Sequence, residues 1–225
     1  MKIALTIDDG PNPGTPGLTP QFVELLGKYG VTATFFCIGV NVDALPDVVK
    51  QTAEAGHLIG NHSYTHPDLT TISEDAVREE LSKTNIAIQN ATGQTPTYFR
   101  PPTGATNDMV NTVASQLGLQ GPILWTVDTN DWRGVGVDAV VSTLLSAGDG
   151  AIILCHDGVA TSDQTLQALD RALPQMQQNG AEFVTIDQMG ASEVGASEGL
   201  LMRPSSDILI PHPSKPLLAP LPLLR

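Results

Sequence analysis

The sequence predicts an α/β chain in which parallel strands alternate with helices, and its chemistry collects where the strands end. Three observations predict it. Short apolar runs of strand type alternate with helix-period segments about seven times. Every polar cluster falls just after a strand run. The run 151–155, Ala-Ile-Ile-Leu-Cys, is unbroken and apolar, as in a strand covered on both faces. In such sheets and barrels the active site lies at the carboxyl ends of the strands, so all these loops face one mouth.

Taken in order, the chain opens on Ile3-Ala4-Leu5-Thr6-Ile7, a strand-type run that breaks into Asp8-Asp9-Gly10-Pro11-Asn12-Pro13-Gly14. Over 19–29, Phe22, Val23, Leu25 and Leu26 stand at helical spacing, with Thr19-Pro20 as a start and Gly30 as a stop. An aromatic-rich strand at 33–38 is followed by a helix over 46–55, closed by Gly56, and a short strand at 57–60. Asn61-His62-Ser63-Tyr64-Thr65-His66-Pro67 comes next, and then a long helix over 73–90, where Glu74 and Asp75 suit the positive helix start.

Tyr98-Phe99 leads into Arg100-Pro101-Pro102-Thr103-Gly104. A helix over 108–117 closes at Gly118, and a strand at 123–127 delivers Asp128-Thr129-Asn130-Asp131-Trp132. A helix over 138–145, the strand 151–155 ending in His156-Asp157-Gly158, a helix over 163–178 and a strand at 182–186 complete the alternation. From about residue 191 the composition shifts to Gly, Ser, Pro and Leu. Residues 1–190 are therefore expected to form one domain and 191–225 a Pro/Leu-rich C-terminal extension.

The chain has 225 residues, enough to bury a substantial core. Eleven basic against 24 acidic side chains give a formal net charge of −13. That argues against nucleic acid or an anionic membrane as partner and suits a neutral substrate such as a sugar. No apolar run approaches the ~20 residues that span a bilayer, and no basic start with an apolar h-region precedes the first strand, so either a protein that stays inside the cell or one whose leader has been removed is expected. Cys37 and Cys155 both fall in apolar strand-type runs and are expected as buried free thiols.

Asp8 and Asp9 sit where a strand ends. Adjacent carboxylates repel, which raises the pKa of one unless a cation or an Arg stabilises the charged forms. A metal on one, with the other left free as a base, resolves the conflict; an Asx turn capping the Gly/Pro loop is the plainer alternative. His62 and His66 are spaced i, i+4, so a helical turn would set both imidazoles on one face, within reach of a single ion. With Asp9 they make two imidazoles and one carboxylate, a set that leaves coordination positions open and is therefore of catalytic type. Arg100 is either a surface residue or a guanidinium holding one of the paired carboxylates ionised. Asp131 reads equally as a helix cap, and His156 as a strand-end histidine satisfied by backbone.

As an ordered set, T-I-D-D-G, N-H-S-Y-T-H, R-P-P-T-G, D-T-N-D-W and L-C-H-D resemble the five motifs of the polysaccharide deacetylases with the NodB homology domain, the fourth family of carbohydrate esterases. The resemblance covers roughly residues 1 to 190. It implies a distorted (β/α)-barrel with fewer than eight strands. It implies that Asp8 is the general base, that Asp9, His62 and His66 bind a divalent metal, and that Arg100 orients the base. The Thr103 N–H would help hold the oxyanion, Asp131 would pair with the catalytic acid His156, and Trp132 and Leu154 would shape the pocket for the acetyl methyl. Zinc suits the ligand set; cobalt and other first-row ions fit it too.

The resemblance further implies an acetylated oligo- or polysaccharide as substrate, N-acetylglucosamine units of chitin or peptidoglycan type, with acetylated xylan as the alternative. A monomer acting outside the cell is expected. A silent carbohydrate-binding relative is disfavoured, because the base and every ligand are present. Two positions depart from the family pattern. Ile7 replaces a usual Phe, a core exchange, and Thr103 replaces a usual Tyr or Phe, so the ring that would wall the substrate cleft is missing there.

Overall fold

The computed structural model of the chain describes residues 1–12 and 17–190 and opens on β1 (Lys2–Asp8), followed by α1 (Thr19–Lys28) and β2 (Thr34–Cys37). Two helices, α2 (Gly39–Ala44) and α3 (Pro46–Glu54), precede β3 (Leu58–Asn61). Then come α4 (Glu74–Thr92), α5 (Asp108–Gln116), β4 (Val127–Asp128), α6 (Val137–Leu145), β5 (Ala151–His156), α7 (Ser162–Gln178) and β6 (Glu182–Val184). The expected extension, 191–225, lies outside the described residues.

Every strand pair is parallel, and the order is β3-β2-β1-β5-β4. β1 is the hub. One edge pairs with β5 along Ile3 to Asp8; the other is shared, with β6 on Lys2 to Ala4 and β2 on Thr6 to Asp8.

Among the described residues the sheet has six strands, where about seven were expected. Tyr98 and Phe99 contribute only single bridges, to Gln120 and Asn61, and the expected strand at 123–127 shrinks to Val127–Asp128. The reason is the path of the chain. Ile123 N–H donates to Phe99 O at 3.0 Å on one side of the sheet, whereas Thr126 N–H donates to Ile152 O at 2.9 Å on the other. The segment crosses between the two edges and closes the barrel instead of pairing along one of them. Gly121 starts this crossing at φ 146°, and a Cβ there would lie 2.6 Å from Phe99 O, so only glycine fits.

Period-two alternation divides the side chains into two layers. Ile3, Leu5 and Ile7 of β1 pack outward with Ile153 and Cys155 against Phe22 and Leu26 of α1, Val49 of α3, Leu144 of α6 and Leu169 of α7. Burial of each large aliphatic side chain contributes roughly 1.5–3 kcal/mol. Ile7 thus faces helices, as expected of a core exchange. Ala4, Phe36, Ile152 and Val184 turn inward and fill the barrel with Ile123 and Ile186. Cys37 and Cys155 are free and buried.

α4 matters most to the site. Ser73 Oγ accepts from Ala76 N–H at 3.3 Å, Glu74 and Asp75 occupy the first turn, and Gly93 ends the helix at φ 76°. Val77, Leu81 and Ile88 bury its inner face, which leaves Glu80 beside the loop after β3. The short helix α2 was not expected from the sequence; its six residues carry neither a side-chain cap nor a helical apolar stripe long enough to read.

Candidate active site

The inward face of the sheet ends in charged groups. Continuing the alternation Ala4, Thr6, Asp8 places Asp8 inside the mouth, and Asp8 is the register partner of His156 on β5. Asp9 escapes the alternation because its φ of 76° turns the chain at the strand end, a conformation that Asp tolerates better than most residues. Phe36 O accepts its N–H and Asn41 donates to its carbonyl, which fixes the turn.

Asp9 Oδ1 lies 3.4 Å from His62 Nε2 and 3.3 Å from His66 Nε2. One ligand atom from each of the three lies within 4.8 Å of the others. Asp9 Oδ1 is buried and, among the described residues, makes no hydrogen bond; its nearest charged or polar neighbours are the two imidazole nitrogens, the position a cation would share. The donor set, one carboxylate and two imidazoles, fits a divalent cation. Burial alone would raise the Asp9 carboxyl, but His62 and His66 hold it well below the usual range. Burial likewise works against protonated His66, and the Asp9 charge outweighs it, raising that imidazole.

His62 is oriented from behind: its Nδ1 lies 2.7 Å from Arg100 O, a backbone acceptor, which leaves Nε2 on the Asp9 side, where it would offer its lone pair to a bound cation. The expected helical turn for His62 and His66 is corrected by the structure. The two sit in a loop after β3, with Ser63 at φ 62° and His66 at φ 61°, and their ring centroids are 5.0 Å apart. The i, i+4 spacing converges by a different backbone path.

Arg100 is fully buried, not a surface residue. Its Nη1 donates to Asp8 Oδ1 at 2.8 Å and Thr6 Oγ1 at 2.7 Å, and its Nε donates to Ile123 O at 2.8 Å. The guanidinium stacks 4.4 Å from the Phe36 ring centroid and 5.6 Å from that of Trp125. Replacing Arg100 with Met would leave Asp8 buried without its counter-charge, and we expect a loss of about 3–5 kcal/mol in urea unfolding.

On the opposite flank, Asp131 Oδ1 lies 2.7 Å from His156 Nδ1, and Asp131 Oδ2 accepts from His156 N–H and Thr165 Oγ1, each at 2.8 Å. Burial would lower the His156 pKa, but the Asp131 hydrogen bond and charge outweigh it and push it up to about 9. Asp131 itself is held down by the same contacts, against its own burial.

The remaining expected residues are placed as follows. Leu154 is buried and points inward on β5 between Ile152 and His156. Trp132 is 43% exposed, with the Arg133 guanidinium 4.6 Å from its ring centroid. Thr103 is exposed at φ 59° in a single turn, Pro102–Gly104, and its N–H meets no acceptor among the described residues.

Other residues at the site were not singled out from the sequence. Trp125 packs on Gly104, where a Cβ would lie 2.9 Å from its ring. Asp157 is buried, accepts from Thr19 Oγ1 at 2.6 Å, and is pushed up to about 7 by burial and the nearby Asp9 and Asp8 charges. The signal for Asp157 was its place after His156; Trp125 gave none.

The polysaccharide deacetylase family model matches residues 1–122. A peptidoglycan-N-acetylglucosamine deacetylase of Bacillus cereus is 36% identical over 84% of this chain and 68% of its own length. PgdA, the corresponding deacetylase of Listeria monocytogenes, is 42% identical, but the chain spans only 38% of it. A chitooligosaccharide deacetylase of Rhizobium leguminosarum bv. trifolii is 38% identical over 83% of this chain and 91% of its length. Among solved structures, a family 4 carbohydrate esterase from Streptomyces lividans in complex with acetate superposes with a TM-score of 0.74 at 36% identity, over 80% of this chain and 90% of that one. A family pseudoenzyme from Bacillus anthracis superposes at 0.76 with 34% identity, over 84% of this chain and 64% of that one. A family match over more than half of the chain and a likeness that covers about nine tenths of some relatives, over a parallel α/β barrel with this polar mouth, leave one assignment: the chain belongs to the polysaccharide deacetylase family.

Proposed function

We propose that the chain hydrolyses N-acetyl groups from N-acetylglucosamine units of a peptidoglycan- or chitin-type glycan, with a divalent cation held by Asp9, His62 and His66. The single observation that supports it most is the buried, unbonded Asp9 oxygen between two imidazole nitrogens, flanked by Asp8 and His156. A divalent cation there, zinc in the first instance, would supply Lewis acidity that polarises the acetyl carbonyl and lowers the pKa of a bound water towards ~7.

Asp8, held by Arg100, takes the proton of the attacking water. The Thr103 N–H, with no acceptor among the described residues, is available to the oxyanion, a kind of donor whose loss typically costs about 10²–10³ in rate. His156, oriented by Asp131, gives its proton to the departing nitrogen, while Leu154 and Trp132 flank the acetyl methyl. An amine leaves only when protonated, and a His156 pKa near 9 keeps that proton available at neutral pH. This favours the amide over the ester of acetylated xylan, as do the relatives named above. Because a pseudoenzyme shares the fold, activity rests on these residues rather than on family membership.

Acetate release from chitin oligosaccharides and peptidoglycan fragments should stop on chelation and return with added zinc. His62→Ala should lose both zinc binding and turnover. Full activity of that variant after chelation, without added metal, would show that the ligand assignment is wrong.

A further inference from the structure

Glu80 of α4 lies outside the five motifs, yet its carboxylate holds the loop that carries His66. Its Oε2 accepts the backbone N–H of Tyr64 at 2.8 Å and of Thr65 at 2.7 Å, and its Oε1 accepts the Thr65 hydroxyl at 2.7 Å. The loop needs such an anchor. Ser63 and His66 both have positive φ, a backbone that cannot continue the sheet ladder; His62 N–H still reaches Cys37 O, but the N–H groups of residues 63–66 turn to side-chain acceptors. Asn61 Oδ1 accepts from Ser63 N–H at 2.9 Å and Ser63 Oγ from His66 N–H at 3.1 Å; Glu80 takes the two in between. Charge-assisted bonds from a helix that is itself buried against the core are stronger and stiffer than bonds to solvent. Glu80 is only partly exposed, and among the described residues no Lys or Arg forms an ion pair with it: Lys83, near enough to feel its charge, pairs with Glu79 instead.

We propose that Glu80 is a positioning residue for the cation site: by fixing the Tyr64 and Thr65 amides it sets the loop, and so the direction in which His66 presents Nε2 to Asp9. The inference rests on Asp9, His62 and His66 being the ligand set. Glu80 touches neither metal nor glycan; its effect passes through His66.

The test is zinc affinity of the full chain, read by competition with a chromogenic chelator, alongside acetate release at limiting and at saturating zinc. Glu80→Gln keeps the shape but has one acceptor oxygen, and its amide hydrogens meet the loop's donors. It should weaken zinc binding by about 10–100-fold, the usual effect of losing a group that orients a ligand, with kcat largely recovered at saturating zinc. Glu80→Asp keeps both oxygens on a shorter arm and should lie between the two; it carries the same test if Glu80→Gln fails to fold. Glu79→Gln, on the same helix, should match the wild type. If wild type binds zinc and both Glu80 variants bind it within twofold, or lose only thermal stability, the inference is overturned while the ligand set stands. A wild-type chain that binds no zinc overturns the ligand set and this inference with it.

Discussion

Asp8→Asn is expected to lower kcat for acetate release by about 10²–10⁴-fold, the range for losing a general base, while zinc binding persists. The division follows from the two oxygens of Asp8. Oδ1 is tied to Arg100 at 2.8 Å, and Oδ2 faces the ligand cluster, 3.7 Å from His62 Nε2. Asparagine fills the same volume and can still offer an oxygen to Arg100, so the barrel mouth should keep its packing. What is lost is an atom that accepts a proton. Asp8→Ala is the worse probe, because it removes the counter-charge of a fully buried guanidinium and mixes a folding defect into the kinetics. Steady-state kinetics at saturating zinc, paired with a zinc titration of the same preparation, check the result. An Asp8→Asn chain with more than a tenth of wild-type kcat would remove Asp8 from the role of base.

His156→Ala should cost a similar factor, and the informative companion is Asp131→Asn. With His156 near pKa 9, turnover of an N-acetyl substrate should hold through neutral pH and fall as pH rises through about 9, where the acid loses its proton. Asp131→Asn removes the charge that raises His156 against its burial. The falling limb should then move down towards or below the ordinary histidine value near 6.5, leaving little activity at pH 8. The same pair should appear in stability. His156 rises from about 6.5 in the unfolded chain to about 9 in the fold, so its contribution is complete below pH 6.5 and is lost as pH climbs through 9. A pH-rate profile of both chains, with urea unfolding at pH 6 and 10, measures both effects. An unchanged falling limb in Asp131→Asn would sever the pair.

Much of this was legible in the chain because polar residues at the ends of apolar runs have few places to go. Asp8 and His156 each follow directly on an apolar strand-type run, so the sequence put both at the mouth where strands end, and the structure showed that both turn inward. The geometry that joins them was less visible. His62 and His66 have the spacing of a helical turn, and only the left-handed backbone at Ser63 and His66 reveals that a loop does the work. Glu80 was hidden by its context, one acid among several on an exposed-looking helix. Trp125 was hidden because the sequence reads 123–127 as a strand, whereas most of that segment crosses between the two edges of the sheet. The shared edge of β1, with β6 below and β2 above, depends on how distant segments fold back, which no local pattern records.

The register of β1 against β5 has one more consequence. Asp8 and His156 occupy the same rung of a parallel ladder, six rungs long, whose outward positions hold Ile7 and Cys155. Sliding β5 by a single residue would turn the imidazole out among the helices and bring a thiol to the mouth in its place. Insertions and deletions within these two strands are therefore closed to this chain as a route to new specificity, and variation is left to the loops above the rungs.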